Sequence, residues 1–242
     1  MNRKMVRTIT LRTFALVAVL CAARPGRAAD VKTPYPSMAP LDQYLIADRN
    51  AEIALARSAA PPSISQDATV MVLGKQGYET AVEGKNGFVC VVERAWMGAF
   101  DNNPEFWNPK NRGPSCFNPA AARTVLPITL MRTKLVLAGK SRDEIHESMK
   151  AAVEQKELPE VAPDAMTYML SKQGHLNDSA GHWVPHLMFY VPLKDAKTWG
   201  AGAPDSPILV NPHFNGAPEP VTEFMVPVSE WSDGTPAHTD AH

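Results

Sequence analysis

The chain has 242 residues, 45% hydrophobic and 20% charged, with 24 Lys and Arg against 25 Asp and Glu. That apolar content suffices for one core of ordinary size. A balance this close to neutral offers no basic track for a phosphate backbone, so nucleic acid is excluded as the expected partner.

The first residues, MNRKMVRTITLRT, are basic without an acid, and FALVAVLCAA follows as about ten apolar residues before Arg24 and Pro25. This is the order of a cleavable secretory signal. The run is far short of the roughly 20 residues of a membrane-spanning helix, so no integral span is expected after cleavage. Small residues at Gly26 and Ala28 place the cut after Ala28, and Leu20 stands where a lipoprotein signal would carry a small residue before Cys21. Cleavage removes six basic residues and no acid, leaving 18 basic against 25 acidic residues and a net charge of −7. It also leaves two cysteines, Cys90 and Cys116, in a compartment where disulfides persist. They are expected either to bridge or to stand apart as a buried strand residue and a loop thiol.

Residues 29–40 read as a proline-rich extended entry, and 41–231 as a single domain. Leu41, Tyr44, Leu45, Ala51 and Leu55 fall near helical spacing behind Pro40, which predicts a helix ending before Ala59-Ala60-Pro61-Pro62. Three strands are expected at 69–73, 77–84 and 87–96, separated by Gly-containing turns and forming a meander with one face wet. The stretch from Met97 to Pro119 has no period of its own. Its Phe100, Phe106, Trp107 and Phe117 suggest either an aromatic lid over a ligand or a loop pinned to the core.

Short helices are predicted from Asn118-Pro119 and from Pro127, the second capped by Gly139. Ser141-Arg-Asp-Glu144 is a capping box opening a third, with Ile145, Met149 and Val153 along one stripe. Strands follow at 165–171, 186–192, 207–211 and 222–229, and residues 232–242 read as a disordered tail. The fold expected is α+β: a mainly antiparallel sheet of about 5–7 strands with 3–4 helices packed on it.

His182 and His186 are four apart, a spacing that serves a metal on a helix, but Pro185 breaks a helix there. In extended chain four residues span roughly 13 Å, too far to share an ion unless the chain bends. From His186 the chain alternates, with Leu187, Phe189 and Val191 expected in the core and His186, Met188 and Tyr190 on a mixed face. A metal site would need His186 and His213 to converge with His175, His182 or Asp178 as a third ligand, leaving an open water position, and a divalent, zinc-like ion is the one cofactor considered. HExxH, G-x-S-x-G, P-loop, G-x-G-x-x-G and CxxC signatures are absent.

GFVCVVER (87–94) and PHLMFYVP (185–192), with APPSI (60–64) and LAGKSRDEI (137–145), resemble a group of uncharacterised bacterial secreted proteins, over about residues 51–228. The resemblance implies a bacterial periplasmic or secreted location and assigns no activity. The leading expectation is a binding or interaction domain for a small molecule or an envelope protein, with Phe106 and Trp107 at its contact surface. The alternative is a metal-dependent hydrolase built on His186 and His213; a purely structural envelope component is the third.

Overall fold

The computed structural model describes residues 34–214 and 216–237. Residues 1–33, which hold the expected signal peptide and the start of the expected entry, and the last five residues of the tail lie outside the described residues. Residues 34–40 form neither helix nor strand, and a single 3-10 turn occupies Leu41–Gln43. The expected helix begins only at Arg49, because Asp48 caps it by accepting from the Asn50 backbone N–H at 2.8 Å. Helix α1 is Arg49–Arg57 and α2 is Pro62–Ser65.

Strands β1 (Thr69–Gly74), β2 (Gly77–Val82) and β3 (Val89–Glu93) follow. β1 and β2 form an antiparallel hairpin, but β3 pairs with the far side of β1 and runs parallel to it, so the three are not a meander. The connection crosses the start of β1. There the Lys85 N–H donates to the Asp67 carbonyl at 2.8 Å, and a Cβ on Gly84 would lie 2.1 Å from the Thr69 nitrogen. Only glycine allows so close a crossing.

The stretch expected as loop contains an eighth strand. β4, Gly113–Phe117, has all five residues buried between β3 and β5. Gly113 and Pro114 conceal it, since neither favours a central strand by itself; pairing on both sides overrides that preference.

Helices α3 (Pro119–Thr124), α4 (Leu126–Leu137) and α5 (Arg142–Glu154) then occur in the expected order. Asn118 caps α3, and both halves of the Ser141–Glu144 capping box are formed. β5 (Met166–Met169), β6 (His186–Pro192), β7 (Leu209–Asn211) and β8 (Val221–Pro227) complete the sheet. Its order is β2-β1-β3-β4-β5-β6-β8-β7, and among the described residues β1–β3 is the one parallel pairing. With eight strands and five helices among the described residues, the fold is α+β on a mixed, mainly antiparallel sheet. No helix among the described residues is long and apolar enough to cross a membrane.

Cys90 and Cys116 are cross-strand partners on β3 and β4 and form a disulfide. They sit with Ala56, Ala59, Val70 and Val92 in a small-residue core beneath α1. Glu52 of α1 anchors this layer. Its carboxylate accepts from the Leu73 N–H at 3.1 Å and from Arg94 at 2.8 Å, in an ion pair closed to solvent.

The larger core holds Trp96, Phe106, Phe117, Ile145, Met149 and Tyr190. On β6 the expectation holds only for Val191, which is buried: His186, Met188 and Tyr190 are buried as well, whereas Leu187 and Phe189 are only half-buried. Residues 232–237 also differ from expectation. They turn back on Trp231, bridge Glu230 to Pro236 and pair Asp233 with Lys172 at 2.8 Å, so this part of the tail is ordered.

Candidate functional site

Antiparallel pairing brings the end of β3, the start of β4, the end of β5 and the start of β6 to the same margin of the sheet. The segments following β3 and β5 extend beyond this margin and enclose a cleft of about 740 Å³. Its floor is set by register. Met169 of β5 lies opposite His186 of β6, and Met188, two residues on, lies opposite Met225 of β8. Partners across a ladder share a face, as do residues i and i+2 of one strand. All four side chains therefore line the cleft together.

Trp183, Leu176 and Val184 line it from the loop before β6, and Met97 from the turn after β3. That loop is shaped by Asn177, whose side chain accepts from the Ser179 and Ala180 N–H groups at 3.0 and 2.7 Å. Its base is tied to the residue before β4 by reciprocal backbone bonds between Arg112 and His175.

His182, His186 and His213 all line this cleft. The His186 Nδ1 is 2.7 Å from the Val184 carbonyl, and the His182 Nδ1 is 2.9 Å from the Trp183 carbonyl. A carbonyl can only accept, so each Nδ1 carries a proton, which leaves Nε2 as the ring nitrogen that faces away from the backbone. Burial lowers the pKa of His186 and keeps it neutral, opposed by its bond to Val184. His213 lies with Nδ1 3.8 Å from a Glu223 oxygen. Burial first and the Arg132 cation second push its pKa down to about 3, against a bond to the Met97 backbone.

Asp178, one of the alternative third ligands, does not line this cleft. Its carboxylate accepts from the Tyr35 hydroxyl and, at 3.0 and 3.2 Å, from Lys110. The Tyr35 bond, then that of Lys110, holds it down to about 2. Among the described residues no three His, Cys, Asp or Glu side chains are placed to hold an ion together. Phe106 and Trp107 do not line this cleft either. They are 1% and 7% exposed, in edge-to-face contact with each other, and the Trp107 carbonyl accepts from the buried Tyr44 hydroxyl at 2.8 Å. Both border a different groove, beside the start of α5.

Two further acids lie at or behind the cleft. Glu93 accepts from the Thr129 and Ser115 hydroxyls at 2.8 and 2.9 Å, and Glu223 from the Asn211 amide at 2.9 Å. Burial raises the pKa of both carboxyls, that of Glu223 further because Glu93 is near. Arg132, on α4, opposes the rise in each. Protonated, such groups can donate a hydrogen bond in a dry site. Sequence reasoning missed both, together with Met169, Met188, Met225 and Asn211. The available signal was the alternation of HLMFYVP, which groups His186 with Met188; only the covering of the sheet shows that this group faces inward.

Comparison with protein-family models, with curated proteins and with solved structures finds no match to this chain.

Proposed function

We propose that this chain is a binding protein of the bacterial periplasm or exterior, and that its ligand occupies the cleft at the β3–β6 margin. The observation that carries the reading is the cleft itself: about 740 Å³, floored by thioethers and walled by Trp183, with a few polar groups at His186, Asn211 and His213. Small-molecule sites have this size and composition. The disulfide supports an oxidising compartment. A hydrolytic metal centre on His186 and His213 would need a third nitrogen or oxygen ligand, and among the described residues none is so placed. The geometry therefore favours binding.

The test is native mass spectrometry of untagged protein recovered from the periplasm, compared with its denatured mass. A retained mass that disappears in Met225→Trp, which fills the cleft, is the expected result. A chain that carries nothing in either form, and whose melting temperature no added small molecule raises, would refute the proposal.

A further inference from the structure

We propose that the cleft floor binds a soft monovalent metal ion, Cu(I) being the representative, through the Nε2 of His186 and the thioether sulfurs of Met169, Met188 and Met225. The inference rests on the binding reading and names the ligand class. Three adjacent strands supply the four side chains as two cross-strand pairs, Met169 with His186 and Met188 with Met225. Neighbouring positions on a sheet face are close enough for methionine's three rotatable bonds to bring the sulfurs onto one point beside the imidazole.

The histidine is already arranged as a ligand. It is buried, its Nδ1–H is spent on the Val184 carbonyl at 2.7 Å, and no protein group among the described residues bonds its Nε2, which opens onto the cleft. Metal-bound imidazoles are oriented in this way, with the second ring nitrogen donating to a carbonyl or carboxylate. One thioether is oriented as well: the Asn211 amide donates to the Met188 sulfur at 3.5 Å.

Donor type selects the metal. Thioethers are soft ligands suited to Cu(I) and poor partners for Zn²⁺ or Mg²⁺, which take nitrogen, thiolate or oxygen. Both described cysteines are joined in the disulfide, so thioethers are the soft donors available at this cleft. Close packing alone is a weaker account of these methionines. Met149 of α5 is fully buried and borders none of the described grooves, whereas Met169, Met188 and Met225 line an opening large enough for a ligand.

The experiment is an anaerobic titration of the full mature protein with Cu(I) held by the chromophoric chelator bathocuproine disulfonate, followed by X-ray absorption at the copper edge. Expected is one Cu(I) per chain taken from the chelator, with sulfur scattering and no displacement by zinc. Met188→Leu with Met225→Leu, a volume-conserving change, should weaken binding by at least about 100-fold, the upper end of what losing even a supporting partner costs a metal site. His186→Gln tests the nitrogen ligand independently, and circular dichroism checks that each variant is folded.

Copper left wholly with the chelator by the native chain, equal binding by the folded variants, or displacement by zinc would each overturn the assignment. Should copper fail while an organic ligand is retained and then lost in Met225→Trp, the metal falls and the binding cleft stands. Should neither bind, both fall.

Discussion

Arg132 grips Glu219 as a fork, Nε to Oε1 and Nη2 to Oε2, each at 3.0 Å, with both side chains closed to solvent. The guanidinium also lies 4.5 Å from the Phe100 ring centre and donates at 3.3 Å to the Met97 and Gly98 carbonyls. It thereby joins α4 to the turn after β3 and to the segment before β8. Arg132→Met or Glu219→Gln alone leaves one buried group uncompensated and should cost about 3–5 kcal/mol. The double replacement Arg132→Met with Glu219→Leu should cost clearly less than the sum. Urea unfolding of the three variants measures the difference; additive losses would contradict it.

The Cys90–Cys116 bridge spans 26 positions. By the loop-entropy relation, replacing both cysteines with alanine should cost roughly 3–4 kcal/mol. The check is a lower urea midpoint for the double variant, matched by the native chain once it is reduced.

Gly174 contributes no atom to the cleft, yet a Cβ there would lie 2.5 Å from the Trp183 ring. Gly174→Ala should displace the indole that walls the cleft, change its fluorescence and lower stability by about 1–3 kcal/mol. Weakened retention of the cleft ligand, with every lining residue unaltered, is the expected functional result.

Burial raises the pKa of Glu93 and Glu223 above the ordinary 4.5. Below that value folded and unfolded chains alike hold these protons; above it only the folded chain does. Their stabilisation is therefore lost as pH rises toward the folded values, by about 1.4 kcal/mol per pH unit for each carboxyl in the window. His213, lowered from 6.5 to about 3, has the opposite slope: its contribution is present above 6.5 and lost as pH falls toward 3. Glu223→Gln should thus gain on the native chain as pH is raised from 4.5 to 8. Urea midpoints across that range that run parallel for the two proteins would disprove this.

Local chemistry was legible where it is carried within a few residues. The capping box at Ser141–Glu144 marks the start of α5, and the alternation around Tyr78 and Phe189 lies in real strands. What depends on neighbours was not. β4 is a strand because β3 and β5 flank it, and β6 turns His186 and Met188 inward because the core lies on that side. The same holds for the site: His182, His186 and His213 could be named, but the strands that set methionines beside His186 are about 17 and 39 positions away in the chain.

An open sheet of eight strands has two margins at which another chain could add itself, and both are poorly suited to it. β2 carries an exposed Glu79, paired with Arg49, and its ladder with β1 breaks register between Val70 and Met71. β7 is three residues long. Strand addition needs a long, flat, unpaired run, and neither margin supplies one. Concentrated protein should therefore resist growth into fibrils, and changes that lengthen β7 beyond the exposed Leu209 and Val210 are those expected to remove that resistance.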